Sequence, residues 1–341
     1  VDAKGMKMSK SRGNVVAPQK VINSLGADVL RLWVSANDYT GEMTVSDEIL
    51  KRTSDVYRRL RNTARYLLSN LNDFDPACNS VEFDSMLPLD RWAIEKTQEV
   101  QTEVLAHYDN YQFLQAHQKI HHFCSVEMGS FYLDIIKDRQ YTLPQDSLAR
   151  RSSQTAMFHI AEAFVRWVAP ILSYTAEEIW LAMPGEREES VFLATAYEGF
   201  PSATNESNEL AFWQDVIVTR ELVSKELERV RVEGSIGSGL DASVTLYCEG
   251  ALFEKLNQLN DELRFILITS YAQVKPLSEK TAQAQATDNG HLFIEVVASE
   301  HEKCSRCWHR RDDVGHSEEH PELCGRCIDN VAGDGEQRLF A

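Results

Sequence analysis

Two clusters in the sequence hold residue types that could do chemistry. Near the start, Lys7-Met8-Ser9-Lys10-Ser11 sets two lysines three positions apart in a glycine- and serine-rich stretch, followed by Arg12-Gly13-Asn14. Two ammonium groups on one loop can meet triphosphate oxygens and neutralise the charge that develops as pyrophosphate departs. On composition alone, a solvated basic loop is the plainer reading. Near the end, Cys304 and Cys307, then sixteen residues, then Cys324 and Cys327 form two C-x-x-C pairs. Each such turn offers two thiolates to one metal, and four thiolates close a tetrahedral Zn2+ site. With no histidine or water as ligand, the site is structural rather than catalytic and can stabilise a segment too small to hold a core. Iron is the competing metal, because a four-thiolate tetrahedron suits both.

A second set of candidates is cationic. Between Lys51 and Tyr66, six cations (Lys51, Arg52, Arg58, Arg59, Arg61 and Arg65) face only Asp55, a local +5. Arg58, Arg61 and Arg65 fall at helical three/four spacing, so one helix face can follow a phosphate backbone; a solvated face is the other reading. Within the cysteine cluster, Trp308 stands among Arg306, Arg310 and Arg311. Such a set can stack an unpaired base and hold its phosphate. Equally, Trp308 can pack beneath the zinc loop while the arginines offset the negative charge of a zinc tetrathiolate. His309, His316 and His320 read as surface histidines rather than alternative ligands. Cys78, Cys124 and Cys248 read as inert reduced thiols. His117, His121 and His122 lack a matching carboxylate or cysteine cluster, and Trp167 and Trp180 fall on apolar stripes and belong to a core.

The whole chain has 341 residues, a net charge of -17, 43% apolar and 26% charged residues. That length exceeds one ordinary core and predicts two or three domains. The acidic balance excludes indiscriminate binding to nucleic acid, so any RNA contact is local. No run of about 18 apolar residues is present to span a bilayer, which excludes a membrane protein. Seven cysteines are an odd number for a disulfide framework, and the crowding of four of them favours metal. Val1-Asp2-Ala3-Lys4-Gly5 shows neither an initiator Met nor a signal peptide, so a cytoplasmic fragment with an upstream start is expected.

These residues need elements to position them. Residues 1 to 20 lack periodicity and read as a loop, and a short helix is expected over Ala27 to Ser35. From Ser46, the residues Ile49, Val56, Leu60, Ala64, Leu67 and Leu71 recur at helical spacing, with Ser46 as cap and Asp47 and Glu48 in the first turn. Similar stripes run through Trp92 to Tyr108, Phe113 to Phe123, Met157 to Val168 and Tyr174 to Met183. Residues 46 to 184 therefore read as an antiparallel helical bundle. After the acidic run Glu186, Glu188 and Glu189, the polar stretch Pro201 to Asn208 reads as a crossing segment and Glu209 to Val232 as one more helix. Beyond Gly239, strands are expected at Ser243 to Cys248, Arg264 to Thr269 and Leu292 to Ala298, with a helix over Leu252 to Leu259 and a loop free to move over Lys280 to Asp288. The expected fold is mainly α: the bundle, a small α/β module and a C-terminal zinc-binding module, divided at 1–45, 46–200, 201–300 and 301–341.

Lys7-Met8-Ser9-Lys10-Ser11 is the signature loop of the class I aminoacyl-tRNA synthetases. Gly26-Ala27-Asp28-Val29-Leu30-Arg31-Leu32-Trp33, Asp38-Tyr39-Thr40-Gly41-Glu42 and Arg61-Asn62-Thr63-Ala64-Arg65 resemble isoleucyl-tRNA synthetase of the bacterial type. So do Ala169-Pro170-Ile171-Leu172, Thr175-Ala176-Glu177-Glu178-Ile179-Trp180 and the tail Cys304 to Gly333, and the resemblance covers essentially the whole chain. Valyl and leucyl relatives share the loop and bundle but typically end differently. The resemblance implies joining of isoleucine to its tRNA through an aminoacyl-adenylate, with ATP and Mg2+, in a monomer. It implies that Lys10 contacts ATP in the adenylation transition state, that the bundle grips the anticodon stem and that the zinc module helps hold the anticodon end. In that family the His-Ile-Gly-His-type motif, the nucleotide-binding sheet and the editing domain lie upstream, so this fragment alone is expected to bind tRNA weakly and to be inactive in adenylation. A free-standing tRNA-binding module, or a zinc-ribbon interaction protein using residues 236 to 341, are the alternatives. Neither explains Lys7 to Ser11.

Overall fold

The strongest periodicity in the sequence becomes the 24-residue helix Asp47–Asn70, whose Ile49 amide donates to the Ser46 hydroxyl at 3.2 Å. The computed structural model describes residues 1–201, 209–288 and 290–341. Leu50, Leu60, Ala64 and Leu67 form the buried stripe of this helix, while Arg58, Arg61 and Arg65 stay exposed. Asp47 and Glu48 in the first turn complement the helix dipole.

The chain divides into two compact units. One comprises Val1–Ser80, Ala93–Tyr132 and Gln154–Ser202; the other comprises Val81–Trp92, Leu133–Ser153 and Ala203–Ala341.

The first unit is helical. Pro18–Leu25 and Ala27–Ser35 precede the long helix, and parts of Pro88–Asp109 and Leu148–Val168 pack with Phe113–His122 and Ser173–Ala182. Phe123, Val104, Phe164, Trp167 and Trp180 are buried, with Phe123 edge-on to Trp167 at 5.3 Å. Residues Phe123–Tyr132 widen into a π-helix. Gly129 permits this, because a Cβ there would lie 2.7 Å from the Cys124 carbonyl oxygen. Two segments far apart in sequence are stitched together inside this unit. Buried Asp28 accepts from the Thr175 amide at 2.7 Å and the Thr175 hydroxyl at 2.6 Å, and Arg31 donates to the Ile171 and Pro170 carbonyls at 2.8 and 2.7 Å. The start of this unit differs from expectation: the segment read as a loop up to residue 20 already enters a helix at Pro18, where proline is preset for a first helical turn.

The second unit is built on a four-stranded sheet of order β2-β1-β4-β3. β1 (Ala242–Cys248) runs parallel to β2 (Tyr271–Pro276) and antiparallel to β4 (Phe293–Ala298), and β3 (Gln285–Ala286) closes the far edge. Glu209–Val232 is the helix expected there, and its Leu227 and Val230 pack against Ala242 and Val296 of the sheet. Gly250–Gln258 matches the expected short helix. The expected strand Arg264 to Thr269 is instead the helix Leu263–Leu267, ended by Ile268 in the left-handed region at φ 56°. An apolar run of that length suits either state. The true strand Tyr271–Pro276 is half polar because it is an edge, and its Pro276 lies at its end. The expected loop Lys280 to Asp288 contains β3. Of the polar stretch Pro201 to Asn208, all but Pro201 lies outside the described residues. The tail is fastened by one carboxylate: Glu262 accepts from the amides of Leu339, Phe340 and Ala341 at 2.6, 2.9 and 2.8 Å. Among the described residues no helix is long and apolar enough to cross a membrane.

Candidate functional site

The loop Lys7 to Ser11 is held by side chains outside it. Asp2 accepts from the amides of Lys4 and Met6, each at 2.9 Å, and from the Asn14 side chain at 2.8 Å. Asn14 in turn accepts from the Ser9 amide at 2.9 Å. Ser9 caps the turn Lys10–Arg12 by accepting from the Arg12 amide at 3.3 Å, its hydroxyl sits 3.1 Å from that of Ser11, and Gly13 follows at φ 67°. The Asn14 contact and the backbone amides hold the Asp2 carboxyl below its ordinary value. Met8 packs with Val16 against Val21, Val45 and Leu50. The Lys7 and Lys10 side chains point to solvent, with no carboxylate partner among the described residues. The backbone is therefore pinned while the two ammonium groups stay available to a polyphosphate. Asp2 and Asn14 escaped the sequence reading because a single aspartate and a single asparagine in a loop have no spacing that marks them.

On Asp47–Asn70, Arg58, Arg61 and Arg65 project from one exposed face. Arg58 lies 3.0 Å from Asp55, while Arg61 donates to the Tyr57 hydroxyl at 3.0 Å and lies 3.6 Å from Glu178. Arg65 has no ion-pair partner among the described residues. Exposed pairs of this kind contribute about 0 to 1 kcal/mol and yield readily to a phosphate.

At the other end of the chain, the sulfur atoms of Cys304, Cys307, Cys324 and Cys327 all lie within 4.8 Å of one another and all four residues are buried. Cys307 Sγ and Cys324 Sγ are 3.7 Å apart. A tetrahedron with Zn–S bonds of about 2.3 Å has an edge of about 3.8 Å, whereas a disulfide needs about 2.05 Å. Hydrogen bonds from Cys324 and Cys327, then from His309, hold the Cys307 thiol below its ordinary value, and the same contacts with Cys307 raise Cys324 and Cys327, so the thiols share their protons as one coupled cluster. The four thiolates fit Zn2+ and leave no position open, so the ion would fasten the segment and activate nothing. Outside the cluster, burial pushes the thiols of Cys124 and Cys248 up, the latter to about 11, as befits inert side chains.

The module is anchored by buried charge. Arg326, between the last two cysteines, meets Asp138 through both of its terminal nitrogens at 2.7 and 2.9 Å, and Arg338 meets the same carboxylate at 2.6 Å. Burial alone would raise Asp138, but Arg326, Arg338 and His309 outweigh it and draw the carboxyl down to about 2. Around the Phe265 ring stand Arg338 at 3.3 Å, Arg264 at 3.9 Å and Arg326 at 5.0 Å. His309 is only 3% exposed and sits edge-on to that ring, which corrects its reading as a surface histidine; the tight turn after Cys307 points it inward. Trp308 does the opposite. At φ 66° and 60% exposed, it faces solvent with Lys303 Nζ 5.5 Å from its ring, so it does not pack beneath the zinc loop. The neighbouring arginines have partners within the unit: Arg306 donates to the Thr142 carbonyl at 2.6 Å, Arg310 to Asp241 at 2.8 Å and Arg311 to the Ser270 carbonyl at 3.4 Å.

Three family models match the chain. Residues 1–46 match class I tRNA synthetases (I, L, M and V), residues 90–246 the anticodon-binding domain of tRNA ligase, and residues 302–330 a zinc finger found in FPG and IleRS. A curated protein of Methylococcus capsulatus named isoleucine–tRNA ligase is 62% identical over 341 residues, the whole of this chain. The chain belongs to the isoleucine–tRNA ligase family. Members from Nitrosococcus oceani and a Shewanella species are 59% and 55% identical, again over all of this chain. The chain spans about 36% of the length of these isoleucine–tRNA ligases. The zinc-finger match encloses all four cysteines, so the metal of the tetrathiolate cage is a structural Zn2+ rather than iron.

Proposed function

We propose that this chain is the tRNA-gripping part of an enzyme that activates isoleucine with ATP and Mg2+ and transfers it to its tRNA. The observation that carries this reading is 62% identity over the whole chain to a protein named for that reaction. In it, Lys7 to Ser11 form the ATP-contacting loop and Lys10 is the catalytic residue. Its ammonium group neutralises charge on the phosphates as the isoleucine carboxylate displaces pyrophosphate. Lys7 assists, Met8 anchors the loop, and Ser9, Ser11, Asn14 and Asp2 keep its turn closed. Arg58, Arg61 and Arg65 follow the anticodon stem backbone. Trp308 stacks an unpaired base, with Arg306, Arg310 and Arg311 holding it outward. The segments 1–45, 46–200, 201–300 and 301–341 then act as the end of the catalytic domain, the anticodon-binding helices, a connecting module and the zinc module of a cytoplasmic monomer.

ATP–pyrophosphate exchange tests the assignment. This chain alone is expected to give the rate of a buffer blank. In the longer enzyme, Lys10→Ala is expected to lower the adenylation rate constant by about 10²- to 10³-fold, the usual effect of removing one transition-state donor, with a smaller change in ATP binding. An unchanged rate constant would overturn the role of Lys10.

A further inference from the structure

The helix Ser173–Ala182 begins at Leu172 with no side-chain cap of its own. The cap comes from another helix. Asp28 of Ala27–Ser35, buried, accepts from the Tyr174 and Thr175 amides at 3.3 and 2.7 Å, which sets a carboxylate at the positive end of the helix dipole. The Thr175 hydroxyl also donates to Asp28, so its one proton is committed, and its oxygen, 3.0 Å from the Tyr57 hydroxyl, accepts from Tyr57. The Tyr57 oxygen in turn accepts from Arg61 at 3.0 Å. Every bond thus points the same way, from the exposed Arg61 guanidinium through two hydroxyls to a buried carboxylate. Leu30 and Trp33, two and five positions beyond Asp28, fall on the opposite side of its helix. There they pack with Met8 against Val21, Val45 and Leu50. One short helix therefore meets both the end of the hydrogen-bond chain and the anchor of the loop Lys7 to Ser11.

We infer that Tyr57, Thr175 and Asp28 are positioning residues that join the RNA grip at Arg61 to the ATP-contacting loop, so that a tRNA phosphate seated on Arg61 steadies Lys7 and Lys10. This rests on the tRNA- and ATP-binding reading above. Without RNA, Arg61 is shared between Tyr57 and Glu178, the latter an exposed pair at 3.6 Å. A phosphate displaces that weak pair and holds the guanidinium against Tyr57. Hydrogen bonds in one chain polarise one another, so the tyrosine and threonine bonds tighten with it. With those bonds ordered, the helix Ala27–Ser35 has less freedom left to lose, and ordering Met8 and its loop costs less. The coupling is reciprocal: the factor by which tRNA favours the ordered loop is the factor by which a polyphosphate on the loop favours tRNA.

Amide hydrogen exchange of the full zinc-loaded chain tests the link. The amides of Ser9 and Arg12, which donate to the Asn14 and Ser9 side chains, report the loop. Isoleucine tRNA is expected to slow their exchange by about fivefold or more, the lower end for coupling between sites. Tyr57→Phe loses only a hydroxyl. It is expected to bind tRNA with little loss, because Arg61 keeps its charge, and to exchange like the unsubstituted chain without tRNA, but to lose the slowing. Thr175→Val is expected to lose it too, Thr175→Ser to keep it, and the double variant Tyr57→Phe with Thr175→Val to lose no more than either alone, because both cut one chain. A loop that slows equally in Tyr57→Phe, or that tRNA leaves unchanged in the unsubstituted chain, overturns the link while tRNA binding stands. Faster loop exchange in Tyr57→Phe before tRNA is added reduces Tyr57 to a structural support and overturns it as well. Failure of the unsubstituted chain to bind tRNA overturns both readings.

Discussion

The loop Lys7 to Ser11 and the knuckle Arg306 to Arg311 are both short, irregular and cationic, yet they are held in opposite ways. The loop is closed by hydrogen bonds from the Asn14 side chain to Asp2 and from the Ser9 amide to Asn14, which use no cation, so Lys7 and Lys10 are left with no carboxylate partner among the described residues. The knuckle is closed by four thiolates, and its three arginines are turned into fasteners, leaving the Trp308 ring as its outward feature. Positive charge serves a polyanion only where the fold leaves it uncompensated. By that measure the loop and Arg65 are suited to phosphate, with Arg58 and Arg61 held only in exposed pairs that a phosphate can displace, and the knuckle is suited to stacking.

The comparison breaks most completely if the metal is removed. Cys327→Ser leaves three of four ligands, and structural zinc in small fingers is worth about 10 to 16 kcal/mol. Loss of the single zinc and of amide protection across residues 302–330 is expected, while the loop at Lys7 is unaffected. One zinc held as tightly as before would contradict the four-thiolate cage. Asp138→Asn should cost less, below the roughly 3 to 5 kcal/mol of an unpaired buried charge, because it removes one of two carboxylates that Arg326 and Arg338 share and leaves them Glu336 at 2.8 and 3.1 Å. Zinc should stay bound, and an unshifted denaturation midpoint would show that the carboxylate does not fasten the module. Since Asp138 is drawn down to about 2, its contribution is complete above about pH 4 and is lost as the pH falls towards 2.

Acid acts earlier on the helical unit. Burial draws His117 and His159 down to about 4, so each is neutral in the folded state and resists protonation. Their effect is nil above about pH 6.5 and grows as the pH falls towards 4, reaching on the order of 2 kcal/mol each near pH 5. The unfolding midpoint is expected to drop between pH 7 and pH 5, and His159→Gln should flatten part of that drop. A profile level over this range would contradict the burial of these rings.

What was legible beforehand follows from where the geometry resides. The spacing of Cys304, Cys307, Cys324 and Cys327 itself defines a tetrahedral cage, and the Ser46 cap with its apolar stripe itself defines Asp47–Asn70. Each is a local property of the chain. Asp138 and Phe265 have no such mark, because their importance comes from partners up to 200 positions away, as with Asp138 and Arg338, whereas Asp2 and Asn14 bond within their own loop but follow no periodic pattern. The exchange of a strand for a helix at Leu263–Leu267 has the same origin. An apolar run states that a segment is buried, whereas the edge position of β2 gives its residues the mixed polarity of a loop.

The claim that exposed charge and an outward ring make this chain a tRNA-binding surface is tested most directly by one titration. The chain and its Arg61→Ala variant are titrated with isoleucine tRNA, and with the same tRNA carrying a valine anticodon, at two salt concentrations. The expected result is salt-sensitive binding that prefers the isoleucine anticodon, with Arg61→Ala weakening both tRNAs alike and reducing the salt slope by about one. Absence of binding to either tRNA, or a salt slope indifferent to Arg61, would contradict it.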